Sequence, residues 1–383
     1  MKHNLGTILG RIFGSLVFLL NILAAFWMGL CAASAYISPM QIRYISLFSL
    51  TTPFAIITNI VFIFIWLFSR AKWRSVLSIL VLGACYQIVL AVFGIHFFKP
   101  DDMASKPGKT IKIMSWNVHG MGIFNKPRDK EFEDNIIEYM RQEDADIMCL
   151  PEFYIPRKNM YKPHSNRILK NSQYKDFRYN VDNDLGPESF LGTAVFSKYP
   201  IRNYEVHQLS KYIFMLQCDM EMEDKKLIRM FFVHLTTFGL SDNDKALIED
   251  VKSRSTDLES GINKSKTFIS KFNNAFVKRA QEAVKASKIL EESPYPVLIC
   301  GDFNDLPGSY TYTTLKRGLK DAFAEHGAGL GRTYNLISPT IRIDHILYDP
   351  AGLKIIGYKC KKTALSDHNP VIANFEIVGK PTE

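Results

Sequence analysis

The sequence predicts an α/β domain standing behind three membrane-spanning helices. Three observations lead there. The first hundred residues hold three long apolar runs and no acidic residue. From Ile111 onward, short apolar runs alternate with helical patterns, as when strands exchange with helices. Several of those apolar runs end on a carboxylate, an amide or an imidazole.

The N-terminal runs cover residues 12–37, 44–68 and 75–98. Each exceeds the roughly 20 residues that cross a hydrocarbon core of about 30 Å. Asn21, Asn59, Gln87 and Pro53 interrupt them and are tolerable where they face neighbouring helices. The first run alone also reads as a signal peptide, with Lys2 and Arg11 before it and Ala32-Ala33-Ser34-Ala35 at its end. Two further runs favour an integral anchor. Lys2 and Arg11 precede the first run, and Arg70, Lys72 and Arg74 separate the second from the third, against a lone Arg43 between. The positive-inside rule then puts the N-terminus inside and everything after Lys99 outside the cytoplasmic membrane. Lys106 and Lys109, just past the third run, pull the other way.

The net charge of +9 invites a nucleic-acid reading. Its distribution weakens it. Residues 1–100 carry seven Lys/Arg, which leaves 40 basic residues against all 38 acidic ones in the rest of the chain. That remainder is near neutral, and bulk charge does not mark it as a nucleic-acid binder. The six cysteines show no zinc spacing and no disulfide framework; Cys149 and Cys300 sit in apolar strands, where cysteine acts as a small hydrophobe.

Residues 101–109, with Pro107-Gly108, read as a linker between an anchor at 1–100 and a domain at 110–383. Strands are expected at 111–118, 147–150, 193–196, 230–235, 297–300, 341–347 and 371–377, and helices at 130–142 and 312–324. About 60 residues separate the strand ending at Leu235 from the one starting at Val297. Ser241-Asp242-Asn243 is expected to cap a first helix there and Gly261 to end it. A second helix follows, with Phe272, Phe276, Ala280 and Val284 on one face. The segment 241–270, with Lys245, Lys252, Arg254, Lys264 and Lys266, reads either as a substrate-facing cap or as a solvated excursion.

Asn117, Glu152, His234, Asp302, Asp344, Asp367 and His368 all lie at or near strand ends. Each alone has a structural explanation: a turn residue, a loop opening, a core histidine, an Asx turn. Together they do not, because burying several carboxylates is costly unless a cation or hydrogen bonds offset them. Glu152, Asn117, Asp302, Asn304 and Asp367 form an oxygen-rich set that suits Mg²⁺ or Mn²⁺ rather than structural zinc. The histidines supply acid–base or phosphate-stabilising groups.

At these residues the chain resembles the endonuclease/exonuclease/phosphatase superfamily of DNase I-like nucleases, inositol polyphosphate 5-phosphatases and neutral sphingomyelinases. The segments SWNV (115–118), PEF (151–153), VHLT (233–236), GDFND (301–305), RIDHI (342–346) and SDHNP (366–370) follow its order. The match covers roughly 110–378; GDFN and SDHNP are the specific parts, and the segment 241–270 departs from the minimal pattern. The resemblance implies a four-layer α/β sandwich, two packed sheets with helices outside, and a divalent-metal phosphoesterase site at one end. It implies that Glu152 holds the metal with Asn117 and Asp367 near it. Asp302 and Asn304 would orient the attacking water and the phosphorus, and His368, held by Asp344, would be the base or the phosphate-binding imidazole. His234 donates to a phosphate oxygen or the leaving group. Arg342 binds phosphate or makes a structural ion pair, and His119 is a weaker candidate.

With an anchor attached, the expected function is hydrolysis of a phosphodiester or phosphomonoester of a membrane lipid, with the bilayer itself as partner. The alternatives are an extracytoplasmic nuclease, disfavoured because nucleic-acid affinity rests on several Lys/Arg–phosphate contacts, and an inactive membrane scaffold.

Overall fold

A computed structural model describes residues 5–99, 101–104, 106, 108–124, 130–157, 164–170, 172–186, 189–239, 258–336 and 338–378; the side chains of 5–8, 164 and 258–268 are left aside. Helix α1 (Leu5–Tyr36) and helix α2 (Thr52–Leu67) are joined through a 3₁₀ turn, Ile45–Thr51. Helices α3 (Ser75–Ala84) and α4 (Tyr86–Val92) follow. Two stretches, Leu9–Tyr36 and Ile45–Leu67, are long and apolar enough to cross a membrane. The third run, expected to cross as one helix to Phe98, is instead broken at Cys85, its two halves bent by 74°. Among the described residues there are thus two candidate spans, or three if the bent pair makes one.

Asn21, Asn59 and Pro53 face inward, as expected, whereas Gln87 is exposed. Asn21 donates to Ser78 Oγ (2.7 Å) and accepts from Trp66 Nε1 (2.9 Å), while Ser78 donates to Asn59 Oδ1 (3.0 Å). Asn59 donates to the Ala24 carbonyl (3.0 Å). This network ties α1, α2 and α3 together through groups that lipid could not satisfy.

The bend in the third run follows from what its second half meets. Ala91 joins the apolar core of the C-terminal domain, beside Phe303 and Tyr312. The next residues form strand β1 (Gly94–Ile95). The apolar character that reads as a membrane span is here partly spent on docking the anchor to the domain.

The domain proper begins with β2 (Thr110–Ser115), helix α5 (Lys130–Glu143) and β3 (Ile147–Pro156). Next come α6 (His164–Leu169), β4 (Asp176–Asp184), β5 (Ser189–Ser197), β6 (Ile201–Ser210), β7 (Ile213–Glu221) and β8 (Leu227–His234). Helix α7 (Leu258–Glu291) leads to β9 (Val297–Asp302). The chain closes through α8 (Tyr310–Leu315), β10 (Lys320–Asp321), α9 (Ala322–His326), β11 (Ala328–Gly329), β12 (Asp344–Tyr348), β13 (Leu353–Cys360) and β14 (Val371–Ile377).

Two departures from the expected elements have local causes. The helix expected over 312–324 is split into α8 and α9 at Gly318, whose φ of +77° ends a helix readily. Gly261 does not end a helix; it lies inside α7, which already runs from Leu258. The capping residues 241–243 lie outside the described residues.

Two six-stranded sheets result, ordered β10-β12-β9-β8-β7-β6 and β13-β14-β2-β3-β5-β4. Alternation along each central strand explains why they read as unbroken apolar runs. Ile113, Cys149, Phe232, Leu298 and Cys300 point into the space between the sheets. Met114, Met148 and Leu150 point the other way, onto Ile136, Ile137 and Met140 of α5. Phe231, Val233 and Ile299 point outward onto Ala283, Ala286 and Leu290 of α7. Both strand faces are buried, so both must be apolar. The layers are helix, sheet, sheet, helix: the α/β sandwich.

β8 and β9 run parallel, with His234 opposite Asp302; β12 runs antiparallel to β9, with Asp344 opposite Asp302. This close pairing demands Gly301. Its φ is +141°, and a Cβ there would sit 1.9 Å from the Val233 carbonyl oxygen. Gly301→Ala is therefore expected to destabilise the domain by at least about 2 kcal/mol, read as a lowered thermal midpoint of the detergent-solubilised protein. An unchanged midpoint would show that the strand pair tolerates the spacing.

Candidate active site

The two sheets bring their central strand ends to one place. From one comes the β2 extension carrying Asn117, held to β3 by Trp116 N→Cys149 O (2.9 Å) and Val118 N→Pro151 O (3.1 Å), and Glu152 of β3 itself. From the other come His234, Asp302 and Asp344 at adjacent positions. The turn before β14 adds Asp367 and His368. It is pinned from beneath: Trp116 Nε1 donates to the His368 carbonyl (3.0 Å), and Ser366 Oγ donates to the Asn117 carbonyl (2.8 Å).

The side chains converge. His368 Nδ1 lies 2.8 Å from Asp344 Oδ2, and its Nε2 lies 3.7 Å from Asp302 Oδ2. His234 Nε2 stands 3.7 Å from Glu152 Oε1 and 3.9 Å from Asp302 Oδ2. Asn117 Nδ2 donates to both Glu152 Oε1 and Asp302 Oδ2, each at 3.1 Å. Asn304 is fixed by its backbone N–H to Asp302 Oδ1 (2.8 Å) and by Nδ2 to the Leu235 carbonyl (3.0 Å). Asn117, Glu152, His234, Asp302, Asn304, Asp344 and His368 are thus brought together. His119, the weaker candidate, joins them: its Nδ1 is 3.5 Å from Glu152 Oε2 and 3.6 Å from Asp367 Oδ1. Three of these residues, His119 (φ +43°), Glu152 (+53°) and Asn304 (+51°), hold left-handed backbone conformations. Such strain costs about 1–3 kcal/mol each and persists where the surroundings over-determine it, often at functional sites.

Burial and charge set the protonation states. Burial works against a charged Glu152, but the hydrogen bond from His119, the nearby His234 and Asn117 outweigh it and hold the carboxyl down at about 2. Burial likewise opposes a charged His368, yet Asp344 and Asp302 overcome it and raise the imidazolium to about 10. Asp302 moves upward, driven by its own burial and by the adjacent Asp344.

Four carboxylates, Glu152, Asp302, Asp344 and Asp367, share this space, and their cationic partners here are imidazoles. Among the described residues no Lys or Arg lines the cleft above them, a space of about 300 Å³. The all-oxygen acidic donors fit a hard divalent cation. Asp344 Oδ1 and His234 Nε2 are buried without a hydrogen-bond partner, so the site has polar capacity to spare. Glu152 and Asp367, flanking the same His119 nitrogen, are half-buried carboxylates that line the cleft and would hold the ion. Asp302, Asp344 and His368 also offer one ligand atom each within 4.8 Å of one another, but a His368 kept as imidazolium by Asp344 and Asp302 has no free lone pair to give. Asn117 presents its NH₂ to the two carboxylates; acting as an oxygen ligand requires that amide turned over.

Arg342 does not face the cleft. It is buried beneath it, paired with Asp321 (3.2 Å) and bonded to His345 Nδ1 (3.0 Å) and to the Ala91 carbonyl. Of its two expected roles, the structural ion pair is the one observed. His345, within RIDHI but given no role from sequence, must be neutral to accept from Arg342; burial and that guanidinium lower it to about 4. Its Nε2 reaches the Asp305 carbonyl (3.0 Å), bracing the GDFND turn. Sequence reasoning also missed the apolar part of the cleft: Leu50, Phe238, Phe272, Tyr334, Ile341 and Ile343. Leu50 and Tyr334 carry no motif that could have flagged them.

Comparison with known proteins agrees with this geometry. Residues 114–368 match the model of the Endonuclease/Exonuclease/phosphatase family, and residues 14–92 match one described as a domain of unknown function (DUF8431). The uncharacterized protein YbhP of Escherichia coli (strain K12) is 25% identical over 285 residues, covering 70% of this chain and 97% of that one. The human nocturnin catalytic domain, solved with bound sulfate, superposes with a TM-score of 0.51 at 14% identity, over 72% of this chain and 96% of that one. An endonuclease/exonuclease/phosphatase family protein from Bacteroides thetaiotaomicron gives 0.50 at 16% identity, over 72% and 100%. The structural likenesses establish the fold, and the family match extends over well over half of the chain. The chain belongs to the endonuclease/exonuclease/phosphatase family.

Proposed function

We propose that this chain is a membrane-anchored, divalent-metal-dependent phosphoesterase acting on an ester of a membrane lipid. The observation that carries the reading is the cleft itself: its described lining holds three carboxylates (Glu152, Asp302, Asp367), two imidazoles (His119, His368) and no lysine or arginine, with Asp344 and His234 behind it, and the described residues include at least two candidate spans. Nucleases draw affinity from Lys/Arg–phosphate contacts, and among the described residues no Lys or Arg lines the cleft. A lipid substrate is presented by the bilayer and needs less electrostatic capture.

A bound Mg²⁺ or Mn²⁺, held by Glu152 and Asp367, would supply Lewis-acid stabilisation of charge on a phosphoryl oxygen. The remaining work falls to the protein. His368, kept protonated and oriented by Asp344, hydrogen-bonds a phosphoryl oxygen. Asp302, with its raised pKa, accepts the proton of the attacking water as the new P–O bond forms. Asn304 fixes the turn that aims Asp302. As the opposite P–O bond breaks, the leaving oxygen takes its proton from His234. Placement of the domain outside the cytoplasmic membrane requires the bent third pair to complete a crossing; two crossings return it to the side of the N-terminus.

The purified full-length protein, assayed against phospholipids, sphingolipids and DNA with Mg²⁺ or with EDTA, tests the reading. Lipid hydrolysis that EDTA abolishes is expected; cleavage of DNA alone would replace it with the nuclease reading. Glu152→Gln should cost about two to four orders of magnitude in rate, and activity that survives both EDTA and this change would contradict the metal assignment. His368→Ala and Asp344→Ala should act as one unit, with the double variant within about threefold of His368→Ala alone. Multiplying losses would give Asp344 a separate task.

A further inference from the structure

The wall of the cleft is partly built by the anchor. Leu50, in the 3₁₀ turn immediately before α2, lines the cleft alongside Glu152, Asp302 and His368. It packs on Leu306, Ile341 and Ile343, with Tyr334 in the same cluster. Ile343 adjoins Asp344 in sequence, and the Tyr334 ring sits 4.9 Å from the His368 ring. Across the cleft, the rings of Phe272 of α7 and Phe238 pack tilted, their centroids 4.4 Å apart. An apolar surface therefore begins within one residue of the catalytic groups.

Its position is fixed. Tyr44 N–H, at the start of the anchor turn, donates to the buried Asn273 Oδ1 of α7 (2.9 Å). Arg342 holds the Ala91 carbonyl at the end of α4. β1 pairs antiparallel with β11, placing Gly94 opposite Gly329. Three attachments hold the anchor against the domain, the first at the turn itself, where Leu50 also packs on Leu306, Ile341 and Ile343 as a wall of the cleft.

We propose that Leu50, Phe238, Phe272, Ile341 and Ile343 form a subsite for the aliphatic part of a phosphoester amphiphile, one whose chain begins within a few bonds of the phosphorus. The anchor turn completes this subsite, so the domain without it lacks one wall. The surface continues from Leu50 directly into a candidate membrane span, which gives an aliphatic chain an apolar path from bilayer to phosphate site. The inference rests on the phosphoesterase reading and adds to it the shape of the substrate.

The test uses the full-length protein with Mg²⁺ and two series of soluble substrates, p-nitrophenyl alkyl phosphates and alkyl monophosphates. Chains run from methyl to octyl and are kept below their aggregation concentrations. In at least one series kcat/KM should rise with chain length, up to about fourfold per methylene where each leaves water completely. Leu50→Trp, which fills the subsite, should lower the octyl-to-methyl ratio at least tenfold; Leu50→Ala should flatten the slope, and Leu50→Met should keep it. Leu16→Ala, on the exposed face of α1, should leave the ratio unchanged. A flat chain-length profile in the unaltered protein, or the same ratio in Leu50→Trp, would overturn the subsite while leaving the phosphoesterase reading in place. A fall in the ratio for Leu16→Ala equal to that for Leu50→Trp would also overturn it, by tracing the preference to general partitioning. Absence of hydrolysis in both series, methyl esters included, would overturn the functional reading and the subsite with it.

Discussion

Asp302 sits between His234 on a parallel neighbour and Asp344 on an antiparallel one, and the rest of the site is arranged around this pairing. The register places a buried carboxylate beside a second carboxylate at the end of a sheet, where neither is stable unless charge or protons are supplied. Protonated His368 supplies part of the compensation, at 2.8 Å from Asp344 and 3.7 Å from Asp302. Asn117, reaching across from the other sheet, donates to Asp302 and to Glu152. It thereby links the two sheets at the point where the acids meet. The concentration of like charge gives the geometry a chemical direction: the pocket favours a cation on one side and an electrophilic phosphorus on the other.

The anchor is built into the domain rather than tethered to it. The second half of the third apolar run contributes Ala91 to the domain core, and the Ala91 carbonyl accepts from Arg342. Arg342 is itself fully buried and paired with Asp321, so the contact has a rigid base. The same arginine orients His345, which braces the turn after Asp302. A chain of packed polar groups therefore runs from the anchor to the GDFND turn.

Much of the site was legible because its residues sit at the ends of strands that are apolar on both faces. Such strands are the easiest to find in a sequence, and a carboxylate ending one is conspicuous. Asn117, Glu152, His234, Asp302, Asp344 and His368 were all visible in this way. The strands that escaped notice include the edges. β4, DFRYNVDND, and β6, IRNYEVHQLS, lie at the outer positions of their sheets, and edge strands carry polar residues that blur the pattern. The third apolar run misled for a related reason: hydrophobicity reports burial and does not say whether lipid or protein does the burying. Leu50 was illegible altogether, because it reaches the cleft only through contacts between segments distant in sequence.

The central claim is that the acidic cluster is a cation site organised by Glu152. Titrating Mn²⁺ into the full-length detergent-solubilised protein, with the free ion followed by its electron paramagnetic resonance signal, tests this without reference to any substrate. The account predicts that the unaltered protein depletes free Mn²⁺ and that Glu152→Gln, still folded by circular dichroism, binds at least about tenfold more weakly. Equal depletion by the two proteins, or none by either, would contradict it.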